Sequence, residues 1–247
     1  MKEWIYGRNP VYECLRASRR HFFNLAVAEN ARVQGRLQEI IGLANKKTLK
    51  ISFVPEKQLD RIDDHHQRVA LEASGYPYVR VEEIFDLADG RKEPLFMLML
   101  DQIQDPQNFG TLIRSAEVFG LHGILIPTHR TAGITPAVVN VSSGASEHLF
   151  IARGNVARTA EMVKEREGWV FGLDMNSDSL PLDKVDLTGN LSLVVGGEGS
   201  GLRRLVEEKC DQLVHIPMAG KLDSLNAAVA GSIALYAASM QRRKKSA

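Results

Sequence analysis

Cysteine is almost missing from this 247-residue chain. Cys14 and Cys210 are the only two, they form no metal-ligand spacing, and both are expected to be reduced and partly buried. No apolar run approaches the roughly 20 residues that a membrane helix needs, so a spanning segment is not expected. The opening MKEWIYGRNP lacks the apolar core of a secretory signal, and the expected compartment is the cytoplasm. Repeats and low-complexity tracts are absent, apart from the basic tail QRRKKSA, read as a frayed helix end. The histidines at 21, 65, 66, 122, 129, 148 and 215 are scattered without ligand spacing, so no metal is expected and none is given a catalytic role. Net charge is also nearly absent: 31 Lys+Arg against 30 Asp+Glu leave +1. The two halves differ slightly, with 13 basic and 9 acidic residues over 1–75 and 18 against 21 over 76–247. A mildly basic front is compatible with RNA contact and equally with an ordinary solvated surface.

What is present is a change of pattern near residue 94. The front segment reads as a small α/β unit. NPVYECLRAS is predicted helical with Pro10 in its first turn, FFNLAVAE a strand, RVQGRLQEIIGLANKK a helix, KISFVP a strand and EKQLDRID a short helix. HHQRVALEAS leads into a third strand or loop. Residues 76–93, rich in Pro, Gly and charge, are read as a linker between a domain at 1–75 and a domain at 94–247. From Pro94 onward apolar runs (LFMLML, GILIP, LFIAR, WVFGLDM, LSLVVGGE, LVHIPM) alternate with amphipathic segments. That alternation predicts an α/β fold with a mostly parallel sheet covered on both faces. Ligands of such sheets bind beyond the carboxyl ends of the strands, so the loops after LFMLML, LSLVV and LVHIP are the candidates.

Each of these loops is polar or glycine-rich. In the first, residues 100–120, Asn108 stands near a helix start, where it suits a cap, and Arg114 follows six residues later among apolar neighbours. In the second, LVVGGEGSGL, glycines at 196, 197, 199 and 201 surround Glu198. The spacing is a poor match to a dinucleotide fingerprint, Glu198 would oppose a pyrophosphate, and no Walker lysine follows, so nicotinamide and P-loop readings are disfavoured. In the third, KLDSLNAAVAG, Ser224 can cap an Ala-rich helix whose small residues allow close packing. Asn226 inside its first turn is not explained by a core helix and is read as facing a ligand.

Taken in order, Asn…Arg, Gly-Gly-Glu-Gly and Ile-Pro-Met…Ser-Leu-Asn resemble the three signature motifs of the SpoU (TrmH) family of RNA ribose 2′-O-methyltransferases, within the SPOUT superfamily. The resemblance covers about Pro94 to Gln241. The front unit, through IYGRNPVYECLRA and HHQRVALEA, resembles the L30e-like RNA-binding domain of one branch of the family. Together the two look closest to the RlmB type, which methylates a guanosine ribose of 23S ribosomal RNA; a tRNA substrate and a non-catalytic RNA-binding protein are the alternatives. The resemblance implies S-adenosylmethionine as cofactor, a C-terminal deep trefoil knot and a homodimer with its sites near the subunit interface. It implies that Gly196, Gly197, Gly199, Ile216, Met218 and Leu225 line the adenosine pocket. Arg114 matches the arginine held to activate the 2′-hydroxyl. Because a guanidinium stays protonated, a phosphate clamp that stabilises the forming alkoxide is the easier role to defend. Asn108 and Asn226 would orient RNA or neighbouring loop groups, Glu198 would hold Arg114 or a partner loop, and Ser224 would help hold the assembly.

Overall fold

The computed structural model describes residues 2–176, 178–197, 201–221 and 224–246. The chain divides into two units, Met1–Pro77 with Gly133–His148, and Tyr78–Ala132 with Leu149–Ala247. In chain order the first stretch holds β1 (Lys2–Tyr6), α1 (Arg8–Ala17), β2 (Phe22–Ala28), α2 (Arg36–Lys46), β3 (Ile51–Val54), α3 (Glu56–Asp60) and β4 (Val69–Ser74). The next holds α4 (Val81–Arg91), β5 (Phe96–Asp101), α5 (Pro106–Val118), β6 (Gly123–Ile126) and α6 (Pro136–Val141). The last holds β7 (Phe150–Arg153), α7 (Val156–Lys164), β8 (Trp169–Leu173), β9 (Leu180–Pro181), β10 (Leu191–Gly196), α8 (Arg204–Glu207), β11 (Gln212–His215) and α9 (Ala227–Ser246).

The first unit is a four-stranded sheet in the order β1-β4-β2-β3, with β4 antiparallel to both neighbours and β3 parallel to β2. Helix α1 buries Val11, Cys14 and Leu15, and α2 buries Leu37, Ile40 and Ala44, the one-sided stripes that their spacing predicts. Helix α2 starts after Gly35, at φ +55, four residues later than its expected start. Burial pushes the Cys14 thiol well above its ordinary pKa, and that of Cys210 up to about 12, so both are poor nucleophiles.

Two expectations about domain limits change. Residues 76–93 are not a bare linker: α4 occupies 81–91, its start held by Arg80 N donating to Glu83 Oε1 at 2.8 Å, and buries Ile84, Phe85 and Ala88 in the core of the second unit. Conversely, 133–148 lies between β6 and β7 in the chain but belongs to the first unit. A buried ion pair accounts for this. Arg20 Nε and Nη2 donate to Glu147 Oε2 and Oε1, both at 2.8 Å, and neither side chain has any solvent exposure. Arg20 Nη1 also contacts Glu3 and the Ser74 carbonyl. Burial disfavours the guanidinium charge, but the fork on Glu147 outweighs it and raises the Arg20 pKa.

The second unit carries a seven-stranded sheet in the order β7-β6-β5-β10-β8-β11-β9, with every pairing parallel. All six residues of β5 and all six of β10 are buried, which is why both read as unbroken apolar runs. Helix α9 packs on α5 and β10. A Cβ on Gly231 would stand 2.5 Å from Leu112 Cδ2, so glycine sets how closely α9 approaches α5. No helix among the described residues is long and apolar enough to cross a membrane.

Removing one member of the Arg20–Glu147 pair strands the other in the core. Arg20→Ala is expected to destabilise the first unit by about 3–5 kcal/mol in chemical denaturation, with the Arg20→Met/Glu147→Leu double variant recovering most of the loss. An Arg20→Ala protein as stable as the parent would show that the pair does not hold 133–148 in that unit.

Candidate active site

The carboxyl ends of β8, β10 and β11 open onto one cavity of about 680 Å³. Its walls include Leu173, Val195, Gly196, Gly197, Val214, Ile216, Met218, Leu225 and Ala230, with Asp174, His215, Ser224 and Asn226 as polar points. The size and the apolar lining with few polar groups suit a nucleoside-sized ligand. Five of the six residues expected at the adenosine pocket, Gly196, Gly197, Ile216, Met218 and Leu225, line it. Gly199 and Glu198 lie outside the described residues.

Glycine at 196 is a steric requirement. A Cβ there would lie 2.3 Å from the Gly201 carbonyl carbon and oxygen, so only glycine lets the 201–202 backbone close against the strand end. The turn is held from the other side by Asp101, a fully buried carboxylate at the end of β5. It accepts from Arg203 N at 2.9 Å and from Arg203 Nε at 2.7 Å. Sequence reading passed over both residues. The signal available was a lone Asp closing an apolar strand that is buried throughout.

The two asparagines meet. Asn226 Nδ2 donates to Asn108 Oδ1 at 2.9 Å, joining the start of α5 to the start of α9 across 118 residues. Neither Asn108 nor Ser224, the residues read as suited to cap α5 and α9, is the cap. Asp105 caps α5, accepting from Gln107 N and Asn108 N, with Pro106 in the first turn. Asn226 itself caps α9: its Oδ1 accepts from Ala228 N at 2.9 Å and Val229 N at 3.1 Å, and its carbonyl takes the first helical bond from Ala230. Ser224, two residues earlier, lines the cavity instead. Asn226 therefore has a structural task that the sequence reading denied it, and it still reaches the cavity. Arg114 lies on the exposed side of α5 and is not among the cavity-lining residues. Next to it, Ser115 Oγ meets Ser232 Oγ at 2.8 Å, fixing the α5–α9 contact. His215, dismissed in sequence as a scattered histidine, lines the cavity.

Comparison with known proteins agrees with this geometry. Residues 95–236 match the SpoU rRNA Methylase family, and residues 4–79 match the RNA 2′-O ribose methyltransferase substrate-binding domain. The Bacillus subtilis protein YacO, assigned to the TrmH family of tRNA/rRNA methyltransferases, is 42% identical over 238 residues, covering 95% of this chain and 94% of its own. Among solved structures, the SpoU methyltransferase AviRb from Streptomyces viridochromogenes, determined with AdoMet, superposes with a TM-score of 0.82 at 23% identity, covering 98% of this chain and 91% of its own. The AdoMet-bound rRNA methyltransferase from Sinorhizobium meliloti gives 0.77 at 24% identity, covering 98% and 87%. The chain belongs to the SpoU rRNA methylase family.

The double task of Asn226 can be separated. Asn226→Ala loses both the cap and the link to Asn108, and is expected to cost about 1 kcal/mol of stability as well as methyl transfer. Asn226→Asp keeps acceptors for the cap and is expected to retain most of the stability while transfer still falls. Thermal denaturation beside an initial-rate assay reads the two; full activity of Asn226→Asp would show that the asparagine link is dispensable.

Proposed function

We propose that this protein transfers the methyl group of S-adenosylmethionine to a ribose 2′-hydroxyl of RNA, on a guanosine of 23S ribosomal RNA, in the cytoplasm. The observation that carries the reading is the convergence of the ends of β8, β10 and β11 on one cavity, with cavity-lining Asn226 tied by a hydrogen bond to Asn108 of the first candidate loop. The family's substrate-binding domain at 4–79 supports an RNA substrate. The likeness of the front unit to the RlmB type favours the 23S guanosine. A tRNA ribose is the runner-up, since relatives carry the description tRNA/rRNA methyltransferase.

S-adenosylmethionine supplies an electrophilic methyl whose sulfur departs as a neutral thioether. The chain's own residues address the harder problem, a weakly acidic sugar hydroxyl that must be aligned and freed of its proton. Backbone groups at Gly196, Ile216, Met218 and Leu225 would seat the adenosine. Arg114, always charged, would clamp a phosphate beside the target ribose and stabilise the developing alkoxide. Glu198 would steady Arg114, and Ser224 would brace the loop before α9. The placement of β10 between β5 and β8, with β6 to β9 intervening in the chain, is compatible with the trefoil knot that the family likeness implies.

The same reading includes a homodimer. Val229, Ile233 and Tyr236 form an exposed apolar stripe at spacings of four and three along α9, with exposed Leu225 just before its start, and Tyr236 packs on Phe119 beside exposed Val118. The stripe starts at the cavity mouth and follows the helix that packs on α5, the helix bearing Arg114. A second copy covering it would bring Arg114 to the interface and exclude water from the site.

Methylation of total RNA by the purified chain with labelled S-adenosylmethionine tests the activity. Label is expected at the ribose of one 23S guanosine, and Arg114→Ala is expected to lower the rate by about 10²–10³-fold. Label confined to tRNA would transfer the reading to the runner-up, and label on a base would overturn it. Light scattering tests the assembly: the parent is expected at twice the 27.4 kDa chain mass, and Val229→Asp/Tyr236→Glu at the chain mass, with transfer lost. A parent that runs as a monomer would contradict the dimer.

A further inference from the structure

Two polar side chains in the cavity wall belong to none of the three loops discussed so far. Asp174 follows β8 and His215 ends β11. The strands are parallel and pair Leu173 with Val214, and Asp174 N donates to the Val214 carbonyl at 3.1 Å. The next rung therefore places Asp174 beside His215, and both residues line the same cavity.

His215 Nδ1 lies 2.8 Å from Ser179 Oγ, which also lies 2.9 Å from the Asn176 carbonyl. Nδ1 is engaged by that hydroxyl, and Nε2 is the ring nitrogen left to meet a ligand. The Asp174 carboxylate accepts from Met175 N at 2.8 Å through Oδ1 and from Leu202 N at 3.4 Å through Oδ2. A carboxylate offers about four acceptor positions, so capacity remains for a ligand. The cavity thus presents a carboxylate and an imidazole on adjacent rungs, and Asp174 is its one carboxylate among the described lining residues.

Two hydroxyls on neighbouring carbons match that pair, since one can donate to the carboxylate and the other can donate to or accept from the imidazole. We propose that Asp174 and His215 bind the ribose 2′,3′-diol of the methyl donor, one hydroxyl to each side chain. The step along the chain supports the placement: His215 directly precedes Ile216, which lines the same cavity and would seat the attached adenine. The inference rests on the methyltransferase reading and adds two specificity-determining residues to it. No family motif named above contains either one.

The test separates the diol from the cofactor's α-ammonium and from its adenine 6-amino group. S-adenosylhomocysteine carries all three, 5′-methylthioadenosine lacks the ammonium, and its 2′-deoxy form lacks one hydroxyl of the diol as well. Calorimetric titrations of the full-length protein with each ligand are compared for the parent, Asp174→Asn and His215→Gln, with thermal unfolding as the check on folding. Asp174→Asn is expected to weaken both ligands equally, by about 10- to 100-fold. His215→Gln, whose amide can still meet Ser179, is expected to weaken both by a smaller factor. The 2′-deoxy form of methylthioadenosine is expected to bind the parent more weakly than methylthioadenosine does, with the gap closing in the variants. Weakening of S-adenosylhomocysteine alone would assign Asp174 to the ammonium and overturn the proposal. Unchanged affinities in both folded variants would overturn it as well. If Asp174→Asn fails to fold, His215→Gln and the 2′-deoxy comparison decide. A parent protein that binds neither ligand would instead strike the methyltransferase reading itself.

Discussion

Strand β10 runs between β5 and β8 and is hydrogen-bonded in parallel to both along its length. Parallel neighbours end at the same side, so Asp101, Gly196 and Leu173 share one edge of the sheet. The loops that leave that edge have little freedom. Asp101 grips Arg203, Gly196 admits the Gly201 backbone, and the paired ends of β8 and β11 set Asp174 beside His215. The last helix closes the site only because Asn226 caps it and reaches Asn108. Displacing β10 would separate all of these at once. A sheet buried on both faces is therefore what gives the polar loops a common focus.

Much of this order was legible in sequence, and the reasons differ by element. The cores of β5 and β10 were readable because strands buried on both faces are apolar at every position. Helix α2 was readable from its helical spacing, and α1 from Pro10 in its first turn. β1 was missed: KEWIY is short and begins with two charged residues, and its strand character comes from pairing with β4 seventy residues away. Helix α4 was hidden by charges and Gly90, although its buried face is ordinary. The transfer of 133–148 to the first unit had no local signal at all. It depends on Arg20 meeting Glu147, 127 residues apart.

The site shows the same division. The glycines at 196 and 197 were marked by composition, because glycine permits close backbone approach, whereas Ile216, Met218 and Leu225 came from the family resemblance; all five line the cavity. The capping of α9 was misassigned because Ser224 and Asn226 are both good caps, and only the tertiary link to Asn108 selects the second. Asp174 and His215 escaped notice because each is a single polar residue at a strand end. Their significance arises from adjacency in the sheet, which sequence spacing across 41 positions does not display.

The central claim is that the cavity at the ends of β8, β10 and β11 is where the methyl donor sits. Backbone amide shifts recorded while S-adenosylhomocysteine is added to isotope-labelled protein address it directly. The account predicts saturable changes concentrated at Gly196, Gly197, Ile216 and Leu225, with the residues of β1 to β4 unaffected. Changes centred on the first unit, or no saturable changes at millimolar ligand, would contradict it.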